Sequence, residues 1–370
     1  MITEILTCPG CNSNLLLTGD EWTCPSCGLV AIQRSNIIDF LYNTPHIKLA
    51  NNGLWDLSED QRTGVELLRL SETHGYSELK NQARALRTSE GRVIDDPHAQ
   101  LLDSRLAKLA QRRFNRRYEL VSSEVGRKHG QQMLHKIETR LRDLDLPSVS
   151  SELAIELGGG DGQYLLGFAE KFRHVLVVDG SLVNLALASA LARDDGITNA
   201  SFLRADITAL PVKSSIASMT HANGVIEHVY DTASLVAETV RLRSEDGYSV
   251  VVSPNRTPIT FEPHFRLPLF GLIPRFIRTP MIGVARGKAS EAGTDLLTLR
   301  RFRQTLQRTG TIWDVFVIPR GINSTARQTP VRSIVARSMQ SVVGAIPDKL
   351  INHIFISIAH SHIAIGRGNN

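Results

Sequence analysis

The 370 residues carry 42 Lys and Arg against 37 Asp and Glu, a net charge of +5, with 42% hydrophobic and 21% charged side chains. That length exceeds a typical single domain and that balance suits a globular chain, so more than one unit is expected and wholesale disorder is excluded. All four cysteines fall within the first 27 residues, which excludes a disulfide-stapled secreted fold for the rest of the chain.

The opening Met1–Leu6 has neither a basic run nor the apolar stretch of a signal peptide, and no window offers about 18 uninterrupted apolar residues. The two closest stretches are 267–285, broken by Pro268, Pro274, Arg275, Arg278 and Pro280, and 342–365, broken by Pro347, Asp348 and Lys349. Both read as amphipathic surface or buried elements. The expected location is the cytoplasm, with peripheral membrane contact through such an element as an option.

In chain order, the first feature is a pair of knuckles, Cys8-Pro9-Gly10-Cys11 and Cys24-Pro25-Ser26-Cys27-Gly28, twelve residues apart. Each turns two thiolates toward one point, and together Cys8, Cys11, Cys24 and Cys27 supply the closed tetrahedral shell of a structural zinc. Gly10 and Gly28 suit the tight backbone, and 15–17 with 21–23 reads as a hairpin between the knuckles. A segment of about 40 residues buries too little to fold alone, so a metal staple makes physical sense. A redox dithiol would leave the second matching pair unexplained. The second knuckle followed by Ile37-Ile38-Asp39-Phe40-Leu41 resembles the zinc-ribbon modules that accompany many methyltransferases.

Residues 44–148 form a polar, helical middle segment. Leu106, Leu109, Phe114, Tyr118 and Val121 recur at helical spacing, and 105–142 holds eleven Lys and Arg against three Glu, a local +8. Two readings stay open: a basic face for RNA phosphates or an anionic membrane, and a solvated helix pair capping the next domain. Pro147 marks the boundary.

From 149 onward the pattern changes. The apolar run 151–157 enters Gly158-Gly159-Gly160-Asp161-Gly162 and then an amphipathic helix, the layout that brings a nucleotide cofactor to the backbone. The dinucleotide fingerprint fails, because the third glycine position is Gln163 in one register and Leu165 in the other. The spacing that holds is Glu156-x-Gly158-x-Gly160-x-Gly162, followed by strands ending at Asp179 and Asp206, a fourth strand at 216–225 and a fifth at 248–253. A carboxylate at Asp179 can accept hydrogen bonds from both ribose hydroxyls.

This succession resembles the class I S-adenosylmethionine-dependent methyltransferases. The resemblance implies an α/β, Rossmann-like, seven-stranded, mostly parallel sheet with helices on both faces. It also implies that Glu156, Gly158, Gly160, Gly162, Asp179, Asp206 and Ile207 hold S-adenosylmethionine, Asp206 reading the adenine amino group. The acid common near the start of the fourth strand is missing from Ser215-Ile216-Ala217. Three units follow: a ribbon (1–43), the middle segment (44–148), and a catalytic domain (149–370) with an acceptor lid inserted at about 260–293.

Residues 225–229 with 255–258 are similar to small-molecule O-methyltransferases of the quinone-biosynthesis type. Residues 261–265 with 271–274 are similar to methyltransferases of glycolipid and cell-surface polysaccharide pathways. A small-molecule, glycan or lipid-linked acceptor is therefore expected, with RNA the alternative. His228 is the first candidate for the base that takes the acceptor proton, and His264 and Glu262 are the second. Segments 296–308, 311–318 and 362–367 read as a helix and the sixth and seventh strands, the last antiparallel, with a helical excursion at 330–358 between those strands.

Overall fold

The structure, a computed structural model, describes residues 2–50, 53–86, 123–256, 273, 277, 294–316 and 361–368. A one-turn helix α1 (Ile2–Ile5) leads into the first knuckle. β1 (Leu16–Thr18) and β2 (Glu21–Thr23) form the expected hairpin, with Leu16 opposite Thr23, and β3 (Val30–Arg34) and β4 (Ile37–Asp39) continue the meander. A second hairpin, β5 (His46–Lys48) and β6 (Leu54–Asp56), precedes α2 (Leu57–Leu70) and α3 (Tyr76–Leu86). Its strands are three residues each, too short for alternation to register in the sequence.

Next come α4 (Ser123–Asp143), β7 (Leu153–Leu157), α5 (Leu165–Lys171), β8 (His174–Asp179), α6 (Leu182–Asp194) and β9 (Ala200–Arg204). They are followed by β10 (Ala217–Asn223), α7 (Thr232–Leu242), β11 (Arg243–Pro254), α8 (Leu299–Gln307), β12 (Ile312–Phe316) and β13 (Ser361–Arg367). β7 and β8 are buried almost end to end, as parallel strands covered on both faces must be. Three of these helices start on side-chain caps: Ser181 for α6, Asp231 for α7 and Thr298 for α8.

The seven expected strands lie in the order β9-β8-β7-β10-β11-β13-β12, parallel from β9 to β11, with β13 antiparallel to both of its neighbours. The sheet does not stop there. β4 pairs parallel with β9, Ile37 opposite Phe202 and Asp39 opposite Arg204, so β1–β4 extend it to eleven strands. One hydrophobic cluster accordingly runs from Cys8, Trp22 and Ile38 to Ile155, Leu203 and Val251. On the other face Met133, Leu134, Ile137 and Leu141 of α4 pack with Phe168 and Val177. Leu67, Leu79 and Ala83 of α2 and α3 cover Val183, Leu187 and Leu191 of α6. Among the described residues, no helix is long and apolar enough to cross a membrane. The lid at 260–293 apart from 273 and 277, the excursion at 330–358, and Leu106 to Val121 of the basic stretch lie outside the described residues.

Candidate cofactor cleft and metal site

The four cysteine Sγ atoms converge within 4.8 Å of one another, Cys8 to Cys27 and Cys11 to Cys24 each at 3.4 Å. Zinc–sulfur bonds of about 2.3 Å in a tetrahedron demand sulfur separations of that order, so the donor set and its spacing are compatible with zinc. The knuckles are built alike: Asn12 N donates to Cys8 O at 2.8 Å and Gly28 N to Cys24 O at 3.0 Å. The left-handed residue of each falls directly after its second cysteine, at Asn12 (φ 59°) and Gly28 (φ 74°). Gly10 is thus not the residue that the first turn requires; Asn12 is, and asparagine tolerates that conformation. The side chain and backbone of Ser13 hydrogen-bond Cys11 and pull its thiol down to about 6, whereas Cys27, despite a backbone hydrogen bond near Leu29 that lowers it, is pushed up to about 12 by its cysteine neighbours.

At the carboxyl ends of the parallel strands, β7 runs into a turn whose Gly158, Gly160 and Gly162 all have positive φ (71°, 57° and 91°). Gly158 N donates to Val178 O at 2.8 Å, which pins the turn to β8. A Cβ on Gly158 would lie 2.6 Å from Val225 Cγ2, whereas one on Gly160 would meet nothing within 4 Å. The turn is therefore packed on one side and open on the other, the shape of a cradle. Asp179, the last residue of β8, closes it: Oδ2 accepts from Gly160 N at 2.9 Å and Oδ1 from Ser181 N at 2.8 Å. Glu156 on β7 is buried, and its Oε2 has no hydrogen-bond partner. An open glycine turn beside an orphaned carboxylate oxygen and a strand-end acid fits an adenosyl amino acid, which brings an amine and a ribose diol.

Residues 155–251 match the family model of the methyltransferase domain. The chain carries an S-adenosylmethionine-dependent methyltransferase domain. Similar solved structures include the YcgJ protein of Bacillus subtilis, 13% identical over 66% of this chain and 100% of that one, with a TM-score of 0.39. An S-adenosylmethionine-dependent methyltransferase from Mesorhizobium loti is 20% identical over 62% and 96%, with a TM-score of 0.40. Phosphoethanolamine N-methyltransferase 2 of Haemonchus contortus, in complex with S-adenosylmethionine, is 13% identical over 64% of this chain and 53% of its own, with a TM-score of 0.40. No curated protein matches the chain.

A histidine lies beneath this cleft of the methyltransferase. His221 on β10 is fully buried opposite Glu156, its Nδ1 3.8 Å from Glu156 Oε1, and neither ring nitrogen has a hydrogen-bond partner. Tyr164 and Phe168 meet its ring edge-on at 4.9 and 5.1 Å, and Asn223 Nδ2 donates to the Tyr164 hydroxyl at 2.7 Å. Sequence reading missed His221, Tyr164 and Asn223. A histidine inside a strand otherwise built for burial was the one available signal.

Burial, with the Asp179 charge added, pushes the Glu156 carboxyl up to about 8, and burial pushes His221 down to about 3. The folded chain keeps a Glu156 proton that the unfolded chain loses near 4.5, so this group erodes stability as pH rises from 4.5 toward 8. His221 does the reverse: its neutral ring erodes stability only as pH falls from 6.5 toward 3. Between pH 6.5 and 8 only Glu156 of the pair contributes. The melting temperature of cofactor-free Glu156→Gln is therefore expected to rise relative to wild type across that interval, in calorimetric scans at stepped pH.

The N-terminal elements roof the cleft. Ile47 and Trp55 of the β5–β6 hairpin lie over Gly180, each 3.4 Å from where its Cβ would stand, and Leu49 bridges to Val229. Lys80 of α3, itself buried, donates to Asp161 of the glycine turn at 2.5 Å and to the Tyr76 hydroxyl at 2.8 Å. Asp206 follows β9 and accepts from the Thr208 amide and hydroxyl at 2.9 and 2.7 Å, while Ile207 is buried in the cluster with Leu210 and Val212. His228 ends a 3-10 turn (Ile226–His228) after β10, part-exposed, its Nε2 3.9 Å from Glu227 Oε1. Glu262 and His264 lie outside the described residues.

Proposed function

We propose that the enzyme methylates an oxygen of a small-molecule, glycan or lipid-linked acceptor, in the cytoplasm or at a membrane surface, and that its four cysteines hold a structural zinc. S-adenosylmethionine, when bound, supplies an electrophilic methyl group on a sulfonium sulfur. The glycine turn, Glu156, Asp179, Asp206 and Ile207 hold the donor in this reading, and the hairpin roof excludes water from it. His228, at the carboxyl end of β10, takes the acceptor proton as the oxygen lone pair forms the new O–C bond and the S–C pair returns to sulfur. His264 is assigned to the acceptor lid in the same reading.

The observation that favours such an acceptor over RNA is the state of two of the three arginines on α4. Arg127 pairs with Glu170 and Asp195, and Arg140 forms a two-pronged pair with Asp314 at 2.7 and 2.9 Å. These cations brace α4 against α5, α6 and β12. A phosphate-binding face would need their charges turned outward. Incubating the enzyme and radiolabelled methyl donor with cell extract should place label in the organic-soluble or saccharide fraction. Label confined to RNA overturns the assignment in favour of an RNA base methyltransferase.

A further inference from the structure

Arg204, the last residue of β9, is fully buried, a costly place for a cation unless every limb of the guanidinium is engaged. Its partners come from three separate stretches of chain. Nη1 reaches Asp39 Oδ2 on the ribbon strand β4 at 3.2 Å and Gln61 Oε1 at 3.3 Å. Nη2 reaches Asp60 Oδ2 on α2 at 3.4 Å, and Nε donates to Gly180 O at 3.0 Å. Gly180 is the residue after Asp179. Asp60 grips the same turn, accepting from Ser181 Oγ at 2.5 Å and from Leu182 N at 2.7 Å. Ser181 N in turn holds Asp179 Oδ1.

A buried ionic cluster is a poor way to add stability, because apolar packing of similar volume does as well or better. What it does supply is direction. The planar guanidinium fork can address β4, α2 and the Gly180 carbonyl at once, which a lysine ammonium cannot do in fixed geometry. A carboxylate that accepts two vicinal hydroxyls must be held to within about 0.5 Å.

We propose that Arg204 and Asp60 are positioning residues for the cofactor, fixing the Asp179–Ser181 turn so that the Asp179 carboxylate meets both ribose hydroxyls, with Asp39 tying the ribbon into the same fixture. The proposal rests on Asp179 being the ribose acid. Its test is calorimetric binding of S-adenosylhomocysteine and of the 2′,3′-dideoxy form of that ligand to wild type, Asp60→Asn and Arg204→Lys. Wild type should prefer the ribose-bearing ligand by at least tenfold. Asp60→Asn, which keeps shape and volume, should weaken S-adenosylhomocysteine about tenfold and leave the dideoxy ligand unchanged, so that the preference shrinks by the same factor.

Arg204→Lys should do likewise, and Asp60→Asn carries the test alone if that variant does not fold. Undiminished preference in folded Asp60→Asn overturns the proposal, as does an equal loss for both ligands, which would mean only general loosening. If wild type itself binds both ligands equally, the ribose role of Asp179 fails and the proposal falls with it. A wild type that discriminates while Asp60→Asn does so equally well removes the proposal alone.

Discussion

Gly160→Ala is expected to weaken S-adenosylmethionine binding about a hundredfold in a protein that still folds, whereas Gly158→Ala is expected to damage the fold itself. Both glycines have positive φ, so a side chain at either costs roughly 1–2 kcal/mol in backbone strain. The difference lies in what the new methyl group meets. At Gly160 it enters open space, which the donor fills in the reading proposed here. At Gly158 it meets Val225 Cγ2 at 2.6 Å and Val225 Cβ at 2.8 Å, an overpacking that adds roughly 1–3 kcal/mol. Against a total stability on the order of 10 kcal/mol, Gly158→Ala should melt roughly 5–10 °C below wild type. Calorimetric titration and thermal scans of the two variants check this. Wild-type affinity in Gly160→Ala would remove the cradle from the binding site.

Removal of the proposed zinc is expected to have the second large effect. Metal analysis should find about one zinc per chain, and chelation or Cys24→Ser should lower the melting temperature by more than about 10 °C. Structural zinc contributes on the order of 10 kcal/mol to isolated ribbons. Here the loss would spread, because Cys8 and Cys24 share a core cluster with Trp22, Ile38 and Leu203, and β4 hydrogen-bonds β9. Unfolding of the ribbon should also release Asp39 from Arg204 and weaken cofactor binding. A metal-free protein with an unchanged melting curve would refute the zinc site.

The parts of this architecture that were legible in the sequence are those whose partners lie close together along the chain. Two cysteines in a knuckle, or three glycines in one turn, announce themselves by spacing. So do strands that are buried on both faces, such as 153–157 and 174–179. The Arg204 cluster could not be read that way, since its acids lie 165 and 144 residues away and each looks like an ordinary surface charge. The docking of β4 on β9 was hidden for the same reason. The +8 of the basic stretch was visible, but the engagement of Arg127 and Arg140 by acids elsewhere was not. His221 stood in plain view within a strand, and only its pairing with Glu156 makes it part of the site.

The ribbon also decides where the sheet ends. Without it β9 would offer five consecutive residues, Ala200–Arg204, with one row of amide and carbonyl groups open to any passing strand beside the cofactor cleft. With it the terminal strand is β1, three residues long and anchored between two cysteine knuckles, too short to template growth. The cysteine module thus covers one of the two edges of the sheet, the other being β12. A catalytic domain trimmed to begin after it would be prone to self-association through the very edge that the ribbon covers.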